Sequence, residues 1–157
     1  MNIAHLLAPE MIRSRAAATS KKRTLELLSE LLTGDSPSDP ATRAVFEALI
    51  GRERLGSTGL GRGVALPHAR IAELEAPTAA LVSLSEPVDF DAMDRQPVDL
   101  LFALLVPEHC TDEHLRILAA LAELFSRQEF CEALRASDTP EAMYQLFVDA
   151  SGDSGQR

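Results

Sequence analysis

His68 follows a short apolar run, Val64-Ala65-Leu66, and a proline, Pro67, and it closes a stretch in which four of the chain's eight glycines fall within positions 56–63. A neutral imidazole nitrogen is a nucleophile near pH 7, and its second ring nitrogen can be fixed by an N–H hydrogen bond, so one histidine in a defined orientation can do group-transfer chemistry. The glycines bear on that orientation. Without a Cβ, Gly56, Gly59, Gly61 and Gly63 let backbone lie against another surface or take positive φ, at an entropic cost that an ordinary loop would avoid. Val64-Ala65-Leu66 reads as a brief strand that Pro67 ends, because proline cannot donate the next ladder bond. His68 is thereby held at a strand's end.

Other chemistries fit the sequence less well. His109-Cys110-x-x-x-His114 holds metal-ligating types but lacks the paired Cys-x-x-Cys spacing of structural zinc, so no metal is assigned. The run from Gly56 to Gly63 falls short of a nucleotide-binding P-loop, having neither the lysine nor the Ser/Thr that would hold magnesium. No cofactor is implied. Arg54, Arg62 and His5 are read as ordinary side chains.

Elements must position these residues, and 157 residues suffice for one domain with one core. The expected division is a single domain over 1–150 and a flexible polar tail over 151–157. A formal net charge of -9 makes a broad nucleic-acid footprint unfavourable and points to partners with basic faces. Two cysteines, Cys110 and Cys131, form no disulfide framework and suit a reducing compartment, where both are read as half-buried thiols. The longest apolar run, 100–106, is far shorter than the ~20 residues a membrane span needs, and the early basic residues are followed by no apolar signal segment. A cytoplasmic protein without membrane insertion is expected.

Residues 3–7 suggest a short extended piece, and 13–20, lacking a period, a loop. A helix begins at Lys21, capped by Ser20 and closed by Gly34, with Leu25, Leu28 and Leu32 on one face. Asp39-Pro40 starts a second, burying Val45 and Leu49. Gly51 is placed to loosen its end and leave Arg52 projecting toward the glycines. A connection is expected over 71–77, strands over 78–84, 88–90 (a short edge) and 98–106 (central, apolar on both faces), and an exposed turn over 91–97. A third helix, capped by Thr111 or Asp112, has Leu115, Leu118, Ala122 and Phe125 on one face and Ile117, Leu121 and Leu124 on its flank. A capping box, Ser126 with Glu129, and a Phe125–Phe130 staple open a fourth, and Thr139-Pro140 a fifth carrying Met143, Leu146 and Phe147. Helices around three or four strands in irregular order make an α/β domain with a mixed sheet.

The run Arg52-Glu53-Arg54-Leu55-Gly56-Ser57-Thr58-Gly59-Leu60-Gly61, followed by Leu66-Pro67-His68-Ala69, resembles the signature of the type-2 enzyme IIA domains of the bacterial phosphoenolpyruvate-dependent phosphotransferase system, most closely the nitrogen-regulatory branch, IIA-Ntr. Ala69 stands where glycine is commoner and Arg70 where lysine is usual. The resemblance covers roughly 6–147 and implies a central mixed parallel/antiparallel sheet flanked by helices, the mannitol-specific IIA-like fold. It implies that His68 accepts a phosphoryl group as a tele-phosphohistidine, that Arg52 stabilises that group and that His114 is the second histidine of the site. An arginine's planar fork suits phosphate, backbone N–H groups of the 56–63 loop would add donors, and the first turn of the third helix would favour an anion around His114. The implied donor is a phosphocarrier protein of the HPr or NPr type. The implied targets are regulatory proteins, such as those of potassium transport or sensor kinases, serving nitrogen, carbon or potassium homeostasis. A chain without a linker to a transporter or second carrier domain suits that branch. Two alternatives stand beside it: a fructose- or mannitol-specific IIA passing phosphate to a IIB domain, and a non-catalytic binding module with the same fold.

Overall fold

The computed structural model describes residues 3–109 and 111–155, with side chains described to Ala150 apart from that of Thr111. After two short 3-10 helices (Ile3–Leu6 and Pro9–Met11) the order is β1 (Ile12–Ala16), α1 (Lys21–Thr33), α2 (Pro40–Arg54), β2 (Gly59–Gly61), β3 (Val64–Ala65), β4 (His68–Ile71), β5 (Thr78–Val88), β6 (Val98–Pro107), α3 (Thr111–Phe125), α4 (Gln128–Ala136) and α5 (Pro140–Gly155). Six strands form one sheet in the order β1-β5-β6-β3-β2, with β4 also on β6. β5 and β6 run antiparallel, while β1 on β5 and both β3 and β4 on β6 are parallel, so the sheet is mixed as expected.

β6 is the axis of the domain because it is apolar on both faces. Leu100, Phe102, Leu104 and Val106 pack with Ile117, Leu121 and Phe125 of α3 and Phe147 of α5. Leu101, Ala103 and Leu105 pack on the opposite face with Leu25 and Leu28 of α1 and Val45 and Leu49 of α2. Each fully buried Leu or Phe contributes about 1.5–3 kcal/mol of transfer free energy, which outweighs the weak preferences of the short flanking strands.

Pro67 interrupts rather than ends the strand that carries His68. β3 pairs Val64 with Leu100 and Ala65 with Leu101, and β4 resumes in the same register, His68 with Leu104 through Ile71 with Pro107. The break spans Leu66 and Pro67, where the Pro67 carbonyl still accepts from Leu104 N at 2.9 Å. The connection expected after His68 therefore starts later, at residue 72. Strand alternation puts Val64 and Leu66 on the face covered by α3 and Ala65 and Ala69 on the other, which sends His68 to the α3 side.

Several local expectations are corrected. Residues 3–6 are a 3-10 helix rather than an extended piece. Residues 12–16 are strand β1, hard to read because only Ile12 and Ala16 at its ends are buried, with Arg13, Ser14 and Arg15 between. Residues 88–90 form no separate edge strand: β5 runs to Val88 across an irregularity, and Val88 pairs with Val98. Gly51 does not loosen α2, which stays helical to Arg54. The Ser126–Glu129 capping box does not form, since Arg127 is the N-cap and Ser126 Oγ instead donates back to the Glu123 carbonyl. Phe125 and Phe130 do meet, edge to face with ring centroids 5.8 Å apart.

The α1 caps are as expected: Ser20 Oγ accepts from Arg23 N, and Gly34 takes φ 74° at the C-terminus. Asp39 caps α2 through Ala41 N, and Thr139 Oγ1 accepts from Ala142 N at the start of α5. Helix α5 continues to Gly155. Cys131 is buried rather than half-buried, and burial pushes its thiol above the usual range. Cys110 lies outside the described residues, and Thr111 and Asp112, expected as caps, lie inside α3, which begins at Thr111.

Candidate functional site

The buried face of α3 decides the site. Its core residues are Ile117, Leu121, Leu124 and Phe125, whereas Leu115 is 63% exposed, so of the face expected through Leu115, Leu118, Ala122 and Phe125 only Phe125 is fully buried, and the helix is turned about one residue toward the expected flank. The observed stripe buries larger side chains, because the expected one reaches Ala122 where the observed one has Leu121. The turn carries His114 inward on the same face, to 7% exposure. His114 meets His68 there, the two rings at 68° with centroids 5.4 Å apart. Among the described residues neither ring nitrogen of His114 has a hydrogen-bond partner.

His68 is half-buried at the start of β4. Its Nδ1 lies 2.7 Å from the Leu66 carbonyl. A carbonyl can only accept, so Nδ1 carries the proton and Nε2 is left with its lone pair, the tautomer an attacking nucleophile needs. Burial, and then the positive charge of Arg52, hold the His68 pKa below the ordinary 6.5 against the opposing pull of the Leu66 bond and Glu53. The His114 pKa is lowered by burial, and further by His68 and Arg70. Both rings are thus neutral at pH 7, which suits a nucleophile beside a hydrogen-bonding neighbour.

Arg52 sits in the last turn of α2 and does project toward the glycines, with Nη1 donating to the Gly56 carbonyl at 2.8 Å. The loop itself departs from expectation. Gly56 N donates to the Glu53 carbonyl, Thr58 N to Glu53 Oε1 and Gly59 N to Ser57 Oγ, so three of the N–H groups expected to face an anion are engaged within the protein. Close approach explains one glycine: a Cβ at Gly59 would lie 2.8 Å from the Cβ of Ala92.

Glu53 and Thr58, given no role on sequence grounds, are both 6% exposed. Glu53 accepts from Thr58 N at 3.2 Å and from the Thr58 hydroxyl, and pairs with Lys21 Nζ at 3.0 Å. Their sole signal was an acidic residue between two arginines at a helix end. Among the described residues no three His, Cys, Asp or Glu side chains cluster as a metal site, and no helix is long and apolar enough to cross a membrane.

Over nearly its whole length the chain is similar to known proteins. The profile of the family described as phosphoenolpyruvate-dependent sugar phosphotransferase system, EIIA 2, matches residues 5–150. The chain belongs to that family. It is 43% identical over 149 residues to the nitrogen regulatory protein of Pseudomonas aeruginosa, covering 95% of this chain and 96% of that one. It is likewise 43% identical over 154 residues to the nitrogen regulatory protein of Escherichia coli, covering 97% and 93%. A fructose-specific EIIA component of Haloferax volcanii is 31% identical over 140 residues, 89% of this chain and 90% of that one. The crystal structure of nitrogen regulatory protein IIA-Ntr from Neisseria meningitidis superposes with a TM-score of 0.85 at 42% identity, covering 92% of this chain and 98% of that one. IIA mannitol from Escherichia coli, at 19% identity and a TM-score of 0.73 over 90% and 98%, shares the fold. Within the EIIA type-2 family this domain falls in the nitrogen-regulatory branch.

Proposed function

We propose that the protein is a cytoplasmic phosphocarrier of the nitrogen-related phosphotransferase system, which takes a phosphoryl group on His68 from a phosphohistidine donor of the HPr or NPr type. The observation that carries the reading is the His68 Nδ1 to Leu66 carbonyl bond, which leaves Nε2, the tele nitrogen, as the free nucleophile. In the transfer, the Nε2 lone pair forms the new N–P bond as the donor's N–P bond breaks, and that bond's electron pair returns to the donor's ring nitrogen. The transferred group is loosely bonded to both nitrogens in the transition state, so the work of the site is alignment and stabilisation of the phosphoryl oxygens. Arg52 supplies charge in a planar fork and His114 a ring N–H. The regulatory role, exerted on proteins of nitrogen, carbon or potassium homeostasis according to phosphorylation state, is supported by the nitrogen regulatory relatives.

The test is incubation with phosphoenolpyruvate and the general carrier proteins, followed by intact-mass measurement. The wild type gains one phosphoryl group and His68→Gln none. Equal labelling of both would move the acceptor elsewhere, and no labelling of either would make the protein a binding module. A parallel arm with a fructose- or mannitol-specific IIB domain separates the branches: efficient onward transfer to sugar would overturn the regulatory reading.

A further inference from the structure

His68 is the end of a chain of hydrogen bonds that begins on another helix. Lys21 Nζ, in the first turn of α1, donates to the Phe90 carbonyl at 3.2 Å and pairs with Glu53 Oε1 at 3.0 Å. Glu53, in the last turn of α2, accepts both the N–H and the hydroxyl of Thr58. The Thr58 carbonyl accepts from Leu66 N at 3.0 Å. The Leu66 carbonyl accepts from His68 Nδ1 at 2.7 Å. Every link before the imidazole is buried or partly so, and Glu53 and Thr58 are each 94% out of contact with solvent by their 6% exposure. A buried carboxylate is expensive unless paired and hydrogen-bonded, and the helix end could have been capped without one.

The position of the break explains what the chain is for. Residues 66–67 are the gap between β3 and β4, so Leu66 lacks a place in the β6 ladder and is tied through its N–H to Thr58 instead. The same residue, on the other side of its Cα, presents the carbonyl that selects the tautomer and aims the ring. We propose, resting on the phosphocarrier reading, that Glu53 and Thr58 are positioning residues for phosphoryl transfer, holding Leu66 by its N–H so that its carbonyl keeps the His68 proton on Nδ1 and the lone pair on Nε2. Lys21 anchors Glu53. The same pair holds the backbone on which Arg52 rests, since Gly56 lies between them in the loop.

The experiment compares wild type, E53Q, T58V and T58S in single-turnover phosphorylation by the phosphorylated donor. Nitrogen NMR of the His68 ring is recorded on the unphosphorylated chain. A glutamine has one acceptor oxygen for two Thr58 donors, and valine keeps the shape of threonine without its hydroxyl. In E53Q and T58V the transfer rate falls about 10- to 100-fold, the cost of an ångström-scale misplacement of a reacting atom. The donor concentration giving half the maximal rate stays within about twofold, because the contact surface is untouched. The Nδ1–H tautomer of His68 loses population in both variants and is restored in T58S together with the rate. The E53Q/T58V double variant is no slower than the worse single one, since both break one chain. If E53Q fails to fold, T58V and T58S decide. Wild-type rate and wild-type ring signals in T58V would overturn the role, as would a rate loss accounted for by weaker donor binding. A wild type that takes up no phosphoryl group overturns the phosphocarrier reading, while a phosphorylated wild type beside an equally fast T58V overturns the positioning role alone.

Discussion

His114→Leu is expected to make the protein more stable and less active. His114 is 7% exposed, and among the described residues neither ring nitrogen has a partner. A buried donor or acceptor left unsatisfied costs about 1–3 kcal/mol, and leucine removes it at similar volume and with helix propensity at least as good. Only some of that penalty is recovered, because leucine branches differently against His68 and the core beneath α3, and imperfect shape in a packed site costs up to about 1.5 kcal/mol. The net expectation is a gain of about 1 kcal/mol at pH 8, which for a chain of this size is a rise of about 2–4 °C in the thermal midpoint. Chemical denaturation at constant m-value measures it. The same variant, phosphorylated by the carrier proteins, should be slower than wild type by about 100-fold, the scale of losing one donor to a developing oxyanion. A less stable H114L protein would show that the ring nitrogens have partners in solution. A stabilised protein with wild-type transfer would show that His114 is filler.

The pH dependence follows from the two lowered histidines. Above 6.5 both are neutral folded and unfolded; below it the unfolded chain takes up protons that the folded state refuses, so stability falls with pH from 6.5 down to the lowered values and then levels. Denaturant midpoints from pH 8 to 5 should show this decline, shallower in H114L and in H68Q, and a flat profile would contradict it. Arg52→Lys keeps a charge but loses the fork, and should slow single-turnover phosphorylation by about tenfold or more with the thermal midpoint little changed. Gly59→Ala sets a Cβ against Ala92 and should cost about 1–3 kcal/mol in equilibrium unfolding. Leu121→Ala, at the centre of the α3 face, should cost about 2–5 kcal/mol.

Elements with a strong local signal were legible from residue order. Ser20 and Gly34 frame α1, Asp39-Pro40 starts α2, and the unbroken apolar run of β6 is the sheet's axis, because caps, turns and continuous hydrophobicity act within a few residues. Elements defined by a neighbour were not: β1 exists through β5, and β4 through the register β6 holds open across Pro67. The glycine loop was visible as a special backbone but misread as a set of free donors, since which N–H groups remain free depends on acceptors such as Glu53 Oε1.

The order of residues alone determined that Pro67 breaks the strand just before His68, beside a glycine-rich turn, and that Arg52 lies near the end of the helix before it, because both depend on chemistry a few positions apart. The tertiary structure decided which face α3 buries, and with it that His114 lies against His68 rather than in water. It also decided that Thr58, eight residues before Leu66, holds the residue whose carbonyl aims the imidazole. A helix with apolar residues on two adjacent stripes can be turned either way until a sheet selects the larger one, and a hydrogen bond between distant peptides has no signature in the sequence between them.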